Sequence, residues 1–132
     1  MKRYMLDTDI ASYLIRGDRP EITEAFTKNF RDICISAITA AELQYGAQKR
    51  NSAPLTKKVL AFCALIPIVE WDASSATVYG KLRAELEIAG NTIGAMDMLI
   101  AASAMASNAI LVTNNTAHFS RIQGLRFENW AK

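Results

Sequence analysis

Four polar residues interrupt or end apolar runs in this sequence, and each carries an oxygen suited to catalysis: Asp7, Glu42, Asp97 and Asn115. Asp97 is the most isolated, because it is the one charged residue between positions 88 and 117. The segment around it, residues 95–107, predicts a helix that is apolar on nearly every face, as core helices are. A carboxylate in such a helix is costly unless a donor or a cation pairs with it. We therefore expect Asp97 to have a partner.

The three carboxylates would repel one another if they converged without a basic partner, and a bound cation relieves that repulsion. Oxygen ligands with no His or Cys among them favour Mg²⁺ or Mn²⁺ over zinc. Such ions, one or two of them, assist the hydrolysis of phosphate esters. The predicted metal ligands are Asp7, Glu42 and Asp97, and Asn115 joins them in the predicted catalytic set.

The elements that must position these residues are short strands that alternate with helices. The apolar runs predict strands at residues 4–6, 33–36, 68–71, 109–113 and 125–127. The helix signals predict helices that begin near Ile10, Pro20, Thr39, Pro54, Asp72 and Ala95. This alternation predicts an α/β sandwich of three layers, in which helices flank a mainly parallel central sheet.

Such a sheet gathers the four polar residues at one edge. Ligands of parallel sheets bind outside the carboxyl ends of the strands. Asp7 and Asn115 follow predicted strands, and Glu42 lies in the first turn of a helix that leaves a strand. The helix of Asp97 runs back towards the start of the strand at 109–113, so its first turn lies level with the strand ends. The topology therefore predicts one acidic site.

Several of these residues also have a purely structural interpretation. Thr39 and Glu42 have the spacing of a capping box, in which each side chain bonds the backbone at the start of its own helix. Asp97 is placed to complement a helix dipole. Asp9 is predicted to cap the first helix. His118 is interpreted as a surface histidine without chemistry.

Size and composition indicate a single domain over residues 1–132. The chain has a net charge of +2, which argues weakly for a nucleic-acid partner and not at all for a membrane. Asp7 interrupts the apolar run near the start after three residues, so we expect no signal peptide. Cys34 and Cys63 are too few for a disulfide framework and are expected to be reduced core thiols. We therefore predict a cytoplasmic protein.

Four segments, in this order and at these spacings, resemble the PIN domain and, within it, the VapC-type toxins of bacterial toxin–antitoxin pairs. They are MLDTD (5–9), SAITAAELQYG (36–46), GAMDMLIAA (94–102) and LVTNN (111–115). The ending fits the same family through Phe119, GL (124–125) and ENW (128–130). The resemblance therefore covers nearly the whole chain.

This resemblance implies an endoribonuclease that depends on Mg²⁺ or Mn²⁺. It implies a homodimer, alone or in a larger toxin–antitoxin assembly, and inhibition by a cognate VapB-type antitoxin that inserts a segment near the site. The substrates implied are structured RNAs, mainly tRNA, and the initiator tRNA anticodon loop for the enterobacterial branch that this chain resembles.

The site residues that the resemblance implies are Asp7, Glu42 and Asp97, which occupy the family's acidic positions. The fourth acidic position of many PIN domains falls on Asn115 here. An amide orients a water but adds no negative charge, which favours one metal over two. The family usually has Asn or Ser where this chain has Asp9, so Asp9 either alters metal affinity or only caps a helix.

Other functions remain open at this point. The segment Asp7-Thr8-Asp9 after a strand is also typical of haloacid-dehalogenase phosphatases, but Ala11 stands where that family has Thr or Val. A receiver-like phosphoacceptor domain would need a Lys after a late strand, and Asn114 follows Thr113 instead. A PIN fold that binds a partner without catalysis is the third alternative, and metal titration separates it from an enzyme.

Overall fold

Helices and strands alternate along the chain. The computed structural model describes residues 2–131. In chain order these contain β1 (Tyr4–Leu6), α1 (Thr8–Arg16), α2 (Pro20–Lys28), a 3₁₀ turn (Phe30–Asp32), β2 (Ile33–Ser36), α3 (Ala37–Arg50), α4 (Ala53–Leu65), β3 (Ile68–Val69), α5 (Ala73–Ile88), α6 (Ala95–Ala106), β4 (Ile110–Val112), α7 (Thr116–Phe119) and β5 (Phe127–Glu128).

All five strands form one parallel sheet in the order β3-β2-β1-β4-β5. β1 is the central strand, and Leu6 pairs with Ile35 of β2 and Val112 of β4. Each parallel connection needs a crossover, which the helices provide. The predicted α/β class and parallel sheet are therefore confirmed.

The sheet separates two apolar cores because successive side chains point to opposite faces of a strand. Leu6, Ile35 and Val112 face the core formed with α1 to α4. Met5, Cys34 and Leu111, one position earlier on the same strands, face the core formed with α5, α6 and α7. The central strands are thus buried on both faces, and the molecule has the predicted three layers.

Several predicted boundaries were wrong by a few residues. β3 ends at Val69, before Trp71, and β5 begins at Phe127 rather than at residue 125. α3 begins at Ala37 rather than near Thr39, because Ser36 at the end of β2 caps it by accepting a hydrogen bond from the Ile38 N–H. Ser36 precedes Thr39, the residue expected to cap this helix, and has the extended backbone that a cap requires.

Other helix termini agree with the sequence. Asp72 caps α5 by accepting a hydrogen bond from the Ser75 N–H, as predicted. Gly17 ends α1 in the left-handed conformation, with φ at 71°. Among residues 2–131 there is no helix long and apolar enough to cross a membrane. Both cysteines are free thiols, and burial raises the pKa of Cys34 to about 11.

Candidate active site

The structure brings the four predicted site residues to one edge of the sheet. Asp7 follows β1, Glu42 lies in the second turn of α3, and Asp97 lies in the first turn of α6. Asn115 stands between β4 and α7. All four line one cavity of about 100 Å³, whose other lining residues are Thr8, Asp9 and Ile100. The predicted convergence is therefore observed.

Asp7 is the most buried carboxylate of the site, with 5% of its surface exposed. Burial is the main cause that raises its pKa from 3.8 to about 6, and the negative charges of Asp9 and Asp97 raise it further. Hydrogen bonds from the Thr113 hydroxyl and from the Ile10 N–H act in the opposite direction. Hydrogen bonds thus fix the Asp7 side chain, but burial makes its ionised form less stable than it would be in water. A cation beside Asp7 would stabilise the ionised form.

The prediction that Asp9 caps α1 was wrong, because Asp7 is the cap. Asp7 has extended backbone angles and accepts the Ile10 N–H at 2.9 Å, so the helix begins at Thr8. Asp9 instead lies in the first turn of α1, exposed to solvent and at the wall of the cavity. It therefore adds a third aspartate to the negative charge of the site.

Glu42 does not form the capping box that its spacing from Thr39 suggested. Because α3 begins at Ala37, both residues lie inside the helix. Thr39 is fully buried, and the Glu42 carboxylate accepts a hydrogen bond from the Thr8 hydroxyl, 34 positions away in the chain. The sequence did not identify Thr8, because no local pattern relates it to Glu42. The Thr8 hydroxyl therefore orients Glu42 at the wall of the cavity.

Asp97 and Asn115 share a neighbour in His118. The Nδ1 atom of His118 lies 2.8 Å from the Asn115 side-chain nitrogen and 3.6 Å from Oδ2 of Asp97. His118 was interpreted as a surface residue without chemistry, and its lack of chemistry stays a prediction. Its side chain is 42% exposed, and it contacts two residues of the predicted site. The spacing of three positions between Asn115 and His118 within a helical turn was the signal available in the sequence.

Asn115 is also connected to the buried aspartate. Its backbone N–H donates to the Thr113 hydroxyl oxygen at 2.9 Å, and the Thr113 hydroxyl in turn bonds Asp7. The turn after β4 is thus joined to the end of β1 by polar contacts. This connection holds Asn115 beside the acidic residues without making it a carboxylate.

The polar side chains that line the cavity carry oxygen atoms, which are the ligand type that hard divalent cations prefer. Within residues 2–131, no Lys or Arg forms an ion pair with any of the acidic side chains of the cavity, which are Asp7, Asp9, Glu42 and Asp97. Mg²⁺ and Mn²⁺ prefer oxygen ligands of the kind that these side chains carry. Among residues 2–131, no group of three or more Asp, Glu, His or Cys side chains has the spacing of a metal site.

Comparison with known proteins identifies the class to which this fold and site belong. The model of the PIN domain family matches residues 4–125. The chain belongs to the PIN domain family. Nucleases of this family generally use divalent metal ions. The family and the class of enzyme predicted from the sequence are confirmed, and the phosphatase and receiver-like alternatives were wrong.

Relatives of nearly the same length carry the name VapC. The tRNA(fMet)-specific endonuclease VapC of Shigella flexneri is 39% identical over 99% of this chain and 100% of its own length. Ribonuclease VapC2 of Haemophilus influenzae is 40% identical over 98% of this chain and 99% of its own. The crystal structure of VapBC2 from Rickettsia felis, bound to a DNA fragment from the promoter, contains a chain with a TM-score of 0.90. That chain is 40% identical, and the alignment covers 96% of this chain and 98% of that one.

Proposed function

We propose that this chain is the toxin of a type II toxin–antitoxin pair and acts as a divalent-metal-dependent endoribonuclease. The proposed substrate is structured RNA, above all tRNA, and within it the anticodon loop of initiator tRNA. One observation carries the proposal: Asp7, Glu42 and Asp97 line one cavity in a chain whose relatives are named as ribonucleases. We further propose that residues 1–132 act as one PIN domain, in the cytoplasm where tRNA is found.

The proposed metal ligands are Asp7, Glu42 and Asp97, and the proposed ion is Mg²⁺ or Mn²⁺. When bound, the ion supplies a Lewis acid for the scissile phosphate and for the attacking water. The protein supplies the geometry. Thr8 holds the carboxylate of Glu42, and the Ile10 N–H holds that of Asp7. These fixed contacts keep the oxygens in place before the substrate arrives, which reduces the reorganisation needed during the reaction.

Asn115 and His118 complete the proposed site on the side of Asp97. Their side-chain nitrogens are within hydrogen-bond distance of each other, and neither side chain carries a negative charge. We propose that Asn115 orients a water or a phosphate oxygen, and that His118 positions Asn115 by accepting a hydrogen bond from its amide at Nδ1. A corner without a carboxylate supports one tightly held metal rather than two.

The proposed partners are a cognate VapB-type antitoxin and a second copy of the chain. The antitoxin is supported by the Rickettsia felis relative, whose structure contains VapBC2. Leu60 and Leu65 of α4 are large apolar side chains that are more than half exposed, and a partner chain would cover them. We propose a homodimer that the antitoxin joins in a larger assembly.

The first experiment measures cleavage of initiator tRNA transcripts by the purified chain in Mg²⁺, in Mn²⁺ and in excess chelator. We expect cleavage in either metal, none in chelator, and none by the Asp97→Asn variant in any condition. Asp32→Asn is the matched control, because Asp32 is exposed and lies outside the cavity. Undiminished cleavage by Asp97→Asn would contradict the site, and RNA binding without cleavage by the wild type would support the non-catalytic alternative.

A further inference from the structure

A second cavity adjoins the acidic one and shares two lining residues with it. It has a volume of about 150 Å³ and lies between α1, α3 and α4. Thr8 and Glu42 line both cavities. Beyond these two residues the lining changes from carboxylates to two arginines, Arg16 and Arg50. We call this cavity the α1–α3 groove. The α1–α3 groove extends from the acidic cavity, and its charged side chains beyond Glu42 are positive.

The floor of the α1–α3 groove is apolar. It is formed by Ile15, Leu43, Leu55 and Val59, and Ser12 adds a hydroxyl at the rim. The groove therefore offers both a surface for a flat, weakly polar group and positive charge for an anion. Nucleotides present this combination, because each has a base and a phosphate.

We propose that the α1–α3 groove is a substrate subsite, in which Arg16 and Arg50 bind phosphates of the RNA strand on one side of the scissile bond. The proposal rests on the ribonuclease function proposed above. Glu42 and Arg50 are eight residues apart on one helix, which is about 12 Å at 1.5 Å per residue. A stacked strand advances about 3.4 Å per nucleotide. Thr8 and Arg16 have the same separation on α1, so both arginines are placed to contact phosphates a few nucleotides from the scissile one.

Both arginines are available for such a contact. Arg16 pairs with Asp18 at 3.3 Å, but both side chains are about half exposed, and ion pairs of this kind contribute little to stability. Within residues 2–131, Arg50 has no acidic partner. A basic residue in the last turn of a helix also complements the helix dipole. The dipole does not explain why the last turns of α1 and α3 place both arginines on one groove that reaches Glu42.

The charge of the groove favours RNA as its occupant. A strand whose scissile phosphate lies beside Asp7 and Asp97 has to leave the acidic cavity. Thr8 and Glu42 line both cavities and connect the acidic one to the groove, where Arg16 and Arg50 attract phosphates. A groove-bound acidic peptide is the alternative occupant, and the experiment below distinguishes the two.

The experiment measures the affinity of the full chain for a fluorescein-labelled tRNA anticodon stem–loop across a salt series. The parent protein is Asp97→Asn, which leaves the probe intact. Each phosphate contact contributes about 0.7 to the slope of log affinity against log salt for a single strand. We expect Arg16→Ala and Arg50→Ala each to lower the slope by about 0.7, and the double variant to lower it by about 1.4.

Three controls keep the result interpretable. Arg31→Ala and Lys81→Ala remove exposed cations outside the groove and should leave the slope unchanged. Arg50→Lys keeps the charge and should restore most of the slope. Thermal unfolding checks that each variant folds, which we expect because the substituted side chains are exposed.

Two results would overturn the proposal in distinguishable ways. If the parent binds the stem–loop but the double arginine variant keeps its slope, the groove is not the subsite and the ribonuclease proposal is unaffected. If the double arginine variant keeps its RNA slope but loses affinity for a labelled acidic, leucine-containing peptide, the groove is a peptide site. If the parent binds no RNA at any salt concentration, the proposed function itself fails, and the subsite fails with it.

Discussion

The imidazole of His118 lies 3.6 Å from the carboxylate of Asp97, measured between Nδ1 and Oδ2. The same nitrogen lies 2.8 Å from the amide nitrogen of Asn115. These contacts place a histidine beside Asn115, the residue on which the family's fourth acidic position was predicted to fall. Because the Asn115 side-chain nitrogen can only donate, Nδ1 of His118 is its acceptor in this contact.

His118→Ala should lower cleavage activity, because the Asn115 amide would lose the Nδ1 atom that accepts its hydrogen bond. The loss of one such hydrogen bond costs about 1 kcal/mol, which is about a fivefold change in rate. Single-turnover cleavage measures this loss, and manganese affinity, measured by electron paramagnetic resonance or calorimetry, should stay at the wild-type value. Ser120→Ala, an exposed change nearby, should have no effect. A His118→Ala variant with wild-type activity would show that the contact is incidental.

Asn115→Ala should have a milder effect than Asp97→Asn, because the amide contributes at most one contact to a water or phosphate oxygen. The loss of one such hydrogen bond costs about 1 kcal/mol, which is about a fivefold change in rate. Single-turnover cleavage of the tRNA transcript measures it. Asn114→Ala is the matched control, since Asn114 is exposed and does not line the cavity. A loss as deep as that of Asp97→Asn would instead make Asn115 a direct ligand.

Thr8 provides a test of how much orientation of Glu42 matters. Thr8→Val keeps the branched shape of the side chain but removes the hydroxyl that donates to Glu42. A hydrogen bond to a charged group contributes about 1.5–3 kcal/mol, so we expect a loss of roughly 10-fold to 100-fold in kcat/KM. Thr8→Ser should restore activity. If Thr8→Val and Glu42→Gln prove additive when combined, the hydroxyl does not act through Glu42.

The sequence predicted which residues converge at the edge of the sheet better than it predicted their contacts. Asp7, Glu42 and Asp97 were identified because each is a carboxylate at a strand end or in a helix start, which is a local pattern. The cap of α1 was assigned to Asp9 because both aspartates have cap chemistry, and only the backbone angles at Asp7 decide between them. The contact between Thr8 and Glu42 crosses from α1 to α3, and spacing along the chain carries no information about it.

For the fold, too, local patterns predicted the elements but not the tertiary contacts that set their ends. The alternation of apolar and polar segments predicted the parallel sheet, because strands buried on both faces must be nearly free of charge. The exact ends of β3 and β5 depend on how far each edge strand pairs with its neighbour. β3 pairs with β2 through Ile68 and Val69 alone, so Trp71 lies beyond it. Trp71 instead donates from its indole to the Leu99 carbonyl of α6 at 2.9 Å, a tertiary contact.

The raised pKa of Asp7 predicts how stability depends on pH in the absence of metal. The folded protein has a pKa of about 6 at Asp7, against 3.8 for an unperturbed carboxyl. Between these values the folded state binds more protons than the unfolded state, so the free energy of unfolding falls as pH rises from about 4 to about 6. A shift of about 2 units corresponds to a loss of about 3 kcal/mol at most.

Urea unfolding in chelator at pH 4.5 and pH 7.5 measures this loss, and Asp7→Asn is the matched variant. Asn lacks the titrating group but still caps a helix, so the fold should be kept. We expect Asp7→Asn to gain stability relative to the wild type at pH 7.5 and to lose that advantage at pH 4.5. Because a bound cation offsets the charge of Asp7, adding Mn²⁺ at pH 7.5 should stabilise the wild type and leave Asp7→Asn nearly unchanged. An equal response of both proteins to Mn²⁺ would mean that the metal binds elsewhere.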